Sequence, residues 1–253
     1  MNITCQNCQQ HFRGNYCNHC GQPADTHRIT LHFLWHDIQH GILHVDKGLL
    51  FTVKELFTRP GNSIREFIEG RRFNHFKPIS LIIVLAGICG FLYQYYHINI
   101  LAANVKITSD GDISHAQNIL TKATEWFAEH YALISIMELP LFATGTFIAF
   151  KKAGYNLTEH LVLNAFLTGQ RLILHIATFP LYYIYNNTPT LSVIEKCVTS
   201  AGTIIMVLSL MQFFNQQKKL KSFLLSLLSL LIFGLIALGL VTLIAKILFR
   251  SET

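Results

Sequence analysis

Charge is scarce in this chain. Only 13% of its 253 residues are Asp, Glu, Lys or Arg, about half the usual share for a soluble domain, while 51% are hydrophobic. That composition excludes an ordinary water-soluble globule. Acidic residues are the scarcer sign, 14 against 20 Lys and Arg, which leaves a formal charge of +6. Such an excess would suit nucleic acid, but the basic residues stand beside apolar runs, where orientation in a membrane accounts for them, and no nucleic-acid partner is expected. Cysteine is sparse as well: of six, four fall in the first 20 residues, and Cys89 and Cys197 sit in apolar segments. This excludes a disulfide framework and points to a metal site in a reducing compartment. No cleavable signal opens the chain, since Met1-Asn2-Ile3-Thr4 leads straight into a cysteine pair, so the first spanning helix is expected to direct insertion. No nucleotide loop, serine-centred elbow or metalloprotease motif appears, and no catalytic residue is assigned.

The cysteines that are present carry a strong signal. Cys5-x2-Cys8 and Cys17-x2-Cys20 form two knuckles, each able to bring both sulfurs to one ion. Four thiolates suit a structural zinc, with iron or a redox-active dithiol as the alternative, and a segment this short has no core to hold it otherwise. Gly14 and Gly21 supply the turns, Phe12 and Tyr16 a small apolar cover, and His11 and His19 are bystanders to a complete shell. Residues 1–24 therefore read as a zinc ribbon.

Residues 25–77 read as a helical collar on the cytoplasmic, interfacial side. His32, His36, His40 and His44 recur every fourth residue, so neighbours share a helix face. A second metal set would be His40, His44 and Asp46; the alternative is a row of interfacial histidines on an amphipathic helix. From Arg59 to Pro78, Arg59, Arg65, Arg71, Arg72 and Lys77 outnumber Glu66 and Glu69. Ile64, Phe67, Ile68 and Phe73 fall at helical spacing, so this helix is expected to lie on anionic headgroups of the bilayer, or else on the protein's own head.

Cys-x2-Cys, then Phe-x-Gly-x-Tyr-Cys-x2-Cys-Gly-Gln, His40-x3-His44-x-Asp46-Lys47-Gly48, and Arg59-Pro60-Gly61 followed by Ile64-Arg65-Glu66-Phe67-Ile68-Glu69-Gly70-Arg71-Arg72 together resemble the bacterial membrane family catalogued as domain of unknown function 3667. Tyr155-x3-Glu159-His160-Leu161-Val162 also resembles its pattern. The resemblance covers about the first 80 residues well. It implies a zinc ribbon fused to a polytopic membrane domain, and it brings no established activity.

Residues 78–253 hold five apolar runs of the length a span needs, at about 78–97, 131–150, 161–185, 193–214 and 222–249. The expected fold is an all-α integral membrane bundle with a small N-terminal zinc ribbon. Lys151-Lys152 and Lys218, Lys219 and Lys221 mark the inner side, and Asp110, Asp112, Glu125 and Glu129 the outer, so the N-terminus is expected in the cytoplasm of a bacterial inner membrane. Tyr93, Tyr95 and Tyr96, and later Tyr182, Tyr183 and Tyr185, read as outer aromatic belts. In the third span His160, Asn164, Thr168, Arg171 and His175 fall on one helical face, and such a stripe turns inward, away from lipid. Glu138, at similar depth on the neighbouring span, is expected to pair with Arg171 or His175.

The leading functional expectation is a non-enzymatic adaptor or assembly component whose ribbon docks a protein partner. The alternatives are a transporter or lipid-handling protein built on Glu138, His160, Arg171 and His175, and an intramembrane metalloenzyme using His40, His44 and Asp46. Gly234 and Gly239 allow close approach of a further copy, but their spacing is not the four-residue dimer pattern.

Overall fold

The computed structural model describes residues 2–26, 28–31, 34, 48–98, 126 and 129–250, with side chains through 242. The His40, His44 and Asp46 set lies outside these residues. The chain opens on a two-stranded antiparallel ribbon, β1 (Ile3–Thr4) and β2 (His11–Phe12), in register Ile3 to Phe12 and Thr4 to His11. The two knuckles repeat one construction. Cys5 N–H donates to Gln10 O and Gln9 N–H to Cys5 O; Cys17 N–H donates to Gln22 O and Gly21 N–H to Cys17 O. Each turn closes through a residue at positive φ, Gln9 at 61° and Gly21 at 79°, a region in which glycine is unstrained and glutamine is not. Phe12 is buried between Cys5 and Cys17, whereas Tyr16 is 63% exposed, so only one of the two expected aromatic covers packs inward.

Two short helices follow, α1 (Gly48–Thr58) and α2 (Pro60–Ile68). Pro60 breaks the run and starts the next helix at a position where its missing N–H costs nothing. The apolar face of α2 does not turn outward. Ile64, Phe67 and Ile68 are buried, and Phe67 meets Phe166 edge to face at 5.1 Å, inside the membrane bundle. The expected spacing holds for Ile64, Phe67 and Ile68, whereas Phe73 lies beyond α2 and is 51% exposed; the surface the helix covers is the protein's own bundle.

Five helices are long and apolar enough to cross a membrane: α3 (Pro78–Tyr95), α4 (Tyr131–Ala149), α5 (Leu157–Ile184), α6 (Pro189–Phe213) and α7 (Lys219–Arg250, its candidate span being Lys219–Thr242). α5 is the hub, packed against α3, α4 and α6, with α7 closing against α4 and α6. It begins four residues earlier than hydropathy alone indicates because Asn156 and Glu159 form a capping box, each side chain meeting the other's backbone N–H. α4 runs unbroken through Pro140, and α5 through Pro180. Small residues set the closest crossings. A Cβ on Gly61 would stand 2.3 Å from Phe213 N and Ser209 O of α6, and one on Gly145 would stand 2.8 Å from Ser229 O of α7.

A backbone-to-backbone crossing leaves no side chain able to move aside. Gly61→Ala is therefore expected to lower the thermal midpoint in detergent, costing about 1–3 kcal/mol. Gly87→Ala, whose Cβ would meet nothing within 4 Å, serves as the matched control and is expected to leave the midpoint unchanged.

Candidate functional site

The four ribbon thiols converge. Sγ of Cys5 lies 3.5 Å from Cys20, Sγ of Cys8 lies 3.5 Å from Cys17, and all four sulfurs fall within 4.8 Å of one another. A tetrahedral ion bonded at about 2.3 Å would hold its sulfurs about 3.8 Å apart. The donor set therefore fits one four-coordinate metal ion, with no position left open. Backbone N–H groups of Cys20 and His19 aimed at Cys17 bring its thiol down to about 6. Cys8, which faces it at 3.5 Å, is pushed up to about 12, against a backbone bond from Gln10, by burial and the neighbouring thiols, so the two share a proton.

The ribbon is seated on the rest of the chain. Gln22, 2% exposed, donates from Nε2 to Gly70 O at 2.9 Å and accepts from Arg72 N–H at 3.1 Å, as a strand partner would. Gly70 holds φ +110°, and a Cβ there would stand 1.8 Å from Gln6 Oε1. A second strap runs to the start of α5. Arg28 grips Glu159 with two hydrogen bonds, Nε to Oε1 at 2.7 Å and Nη2 to Oε2 at 2.8 Å, and Asn156 Nδ2 donates to Ile29 O. Glu159 raises the Arg28 pKa through these bonds. Between ribbon, collar and α5 lies a cavity of about 370 Å³ that includes Gln6, Arg72 and Tyr155 in its lining. Deeper in the collar, burial lowers His75 to about 4 and keeps it neutral against Ser63 Oγ at 2.8 Å, with Phe51 and Phe67 edge-on to its ring.

The polar stripe of α5 faces inward, but it does not form one site. From His160 to His175 the helix rises about 22 Å, too far for a single constellation. At the ribbon end His160 is 1% exposed and meets Thr146 Oγ1 at 3.1 Å, where Asn164 Nδ2 also arrives at 2.8 Å. Thr146 directs its own hydrogen to the carbonyls of Phe142 and Ala143, each at 3.1 Å, so it accepts from His160. That assigns the proton to Nδ1 and leaves a bare, buried Nε2 that has no partner. At mid-depth Arg171 pairs with Glu138 at 2.5 Å, with its guanidinium 5.9 Å over the Phe142 ring.

His175 joins neither group. Its Nδ1 lies 3.0 Å from Tyr93 OH and 3.4 Å from Tyr182 OH. Tyr182 donates to Glu195 Oε2 at 2.8 Å, and Thr199 donates to Glu195 Oε1 at 2.9 Å. Tyr93, Tyr182 and Glu195 were not among the expected site residues. The two tyrosines were placed in the outer belts, yet they are 3% and 0% exposed, while Tyr95, Tyr96, Tyr183 and Tyr185 are the ones left outside. The missing signal was available for Tyr182, seven residues after His175 and so on the same face.

Residues 46–90 match the family described as Protein of unknown function (DUF3667). The matched stretch takes in α1, α2 and the first part of α3, the region that joins ribbon to bundle. The four ribbon cysteines and the α5 stripe lie outside it, so their roles rest on geometry. No curated protein and no solved structure matches the chain.

The Arg171–Glu138 pair supplies a direct test of what the stripe does for the fold. Removing one partner strands a charge in a low-dielectric site, whereas replacing both with apolar side chains does not. Arg171→Met alone is expected to cost about 2 kcal/mol or more, given that each side chain is about one third exposed. Arg171→Met with Glu138→Leu is expected to recover most of that loss in detergent unfolding.

Proposed function

We propose that this chain is a multi-pass protein of a bacterial inner membrane whose N-terminal ribbon, clamped by zinc on the cytoplasmic side, docks a protein partner. In this reading it is a non-enzymatic adaptor or assembly component. The carrying observation is the seating of the ribbon: Gln22 on Gly70 and Arg72, and Arg28 on Glu159, fix it to the bundle. A ribbon that served only to close its own metal site would need no such attachment. Fixed in this way it presents Tyr16, Arg13 and His11 to solvent at one orientation relative to the membrane. A closed four-sulfur shell suits shape, not catalysis. Zinc is the ion favoured by four thiolates in a reducing compartment.

One observation favours a second reading, transport or lipid handling. Side chains from three helices link in series, Tyr93 to His175 to Tyr182 to Glu195 to Thr199, beside the Arg171–Glu138 pair. Hydrogen-bonded series of this kind carry protons in membrane proteins. The metalloenzyme reading depends on His40, His44 and Asp46, outside the described residues.

Two measurements separate these readings. Elemental analysis of the full chain is expected to return one zinc, lost in Cys5→Ser with Cys17→Ser; two ions per chain would favour the metalloenzyme. A stoichiometric partner purified with the chain from native membranes is expected to be lost with Tyr16→Ala and Arg13→Glu, and kept with Glu138→Leu and Arg171→Met. The reverse pattern contradicts the adaptor reading and supports the network.

A further inference from the structure

The positive charge of the collar is engaged within the protein. Arg59 pairs with Glu55 and with Glu66, Arg65 donates to Phe213 O and to the side chains of Asn62 and Asn215, and Arg72 donates to Phe67 O. Arg71 stands 3.9 Å from Glu66. These contacts tie the guanidinium groups to the protein, but of them only those of Arg59 and Arg71 are to a carboxylate, and the two share Glu66.

A different basic surface is exposed. Lys151 and Lys152 form the short 3₁₀ turn after α4, and Lys218, Lys219 and Lys221 span the junction of α6 and α7; all five are exposed. The two segments are neighbours, because Phe150 and Phe214 stack face to face with centroids 3.8 Å apart. No Asp or Glu occurs between residues 139 and 158 or between 196 and 251, so neither segment brings a countercharge. Asn215, bonded to Arg65 of α2, places this surface at the ribbon end of the bundle.

The level of the surface decides its partner. Immediately beside the lysines, Ile148, Leu220, Phe223 and Leu224 are also exposed. Apolar side chains open to the surroundings on helices of spanning length belong among acyl chains, so the lysines one turn away stand at the depth of the headgroups. Their flexible stems can lie along the apolar surface while the ammonium groups reach phosphate. We propose that Lys151, Lys152, Lys218, Lys219 and Lys221 together bind the headgroups of anionic phospholipids in the leaflet on the ribbon side. Bound there, lipid phosphate bridges the α4 turn to the α6–α7 junction, holding together three helices that meet at one end.

Native mass spectrometry of the full chain, in detergent micelles doped equally with phosphatidylglycerol and phosphatidylcholine, reads this out as the ratio of bound anionic to bound zwitterionic lipid. Replacing all five lysines with Gln is expected to abolish the wild-type preference, with each lysine contributing up to about fivefold at low salt. Lys54→Gln with Lys196→Gln removes charge elsewhere and is expected to leave the preference intact. Each variant is checked for its metal and thermal midpoint. Should the five-lysine form not fold, Lys151→Gln with Lys152→Gln and, separately, Lys218→Gln, Lys219→Gln and Lys221→Gln are each expected to remove part of the preference. Full retention by these variants, an equal loss in the control, or displacement of the lipid by a short DNA duplex at physiological salt overturns the proposal.

Discussion

The seam between Gln22 and the backbone of Gly70 and Arg72 is the constraint on which the rest depends. A side-chain amide that both donates to a carbonyl and accepts from an N–H two residues on substitutes for a strand partner, and here it does so under cover, at 2% exposure. Leaving either backbone group unpaired in such a place costs about 1–3 kcal/mol, more than the bond itself contributes in water. Gly70 suits the seam because it holds φ +110°, which L side chains rarely adopt, and its missing Cβ leaves room for the Gln6 side chain alongside. One glycine and one glutamine, on segments 48 residues apart, convert a loop built around four converging thiols into a fixed part of the molecule.

From that seam the collar passes its position to the bundle through packing, beside the Arg28–Glu159 pair. α2 lies against α6 closely enough that Gly61 touches backbone, and Phe67 reaches Phe166 of α5. Gln170 of α5 extends the same logic, donating to Leu56 O of α1 and accepting from Ser209 of α6. The polar stripe of α5 is then divided by depth: a neutral His160 cluster near the ribbon, an ion pair in the middle, and a tyrosine–histidine–glutamate series beyond it. Each group finds partners locally, as burial demands, except at Nε2 of His160 and Nε of Arg171.

What the sequence could and could not reveal follows from the range of each signal. Span number and position depend on runs of apolar residues, a local property, and the five helices fall within a few residues of the hydropathy reading. The four cysteines are local in the same sense. That Glu138 would meet the α5 stripe, at Arg171 or His175, was legible because depth along a helix can be counted at about 1.5 Å per residue; that Arg171 is the partner was not. Rotation about the helix axis could not be counted. Tyr93 and Tyr182 therefore looked like belt residues while pointing inward, and α2 looked like a headgroup helix while covering α5. The pairs Gln22 with Gly70 and Arg28 with Glu159 join distant segments through hydrogen bonds, and nothing in either segment alone announces the other.

The central claim is that ribbon, collar and bundle form one mechanical unit held together at the Gln22 seam. Hydrogen–deuterium exchange on the full chain, before and after the metal is stripped by a chelator, tests it most directly. The account predicts faster exchange both in residues 5–22 and in the amides of residues 70–76, because a ribbon without its clamp no longer presents Gln22. Faster exchange confined to the ribbon, with residues 70–76 unchanged, would contradict it.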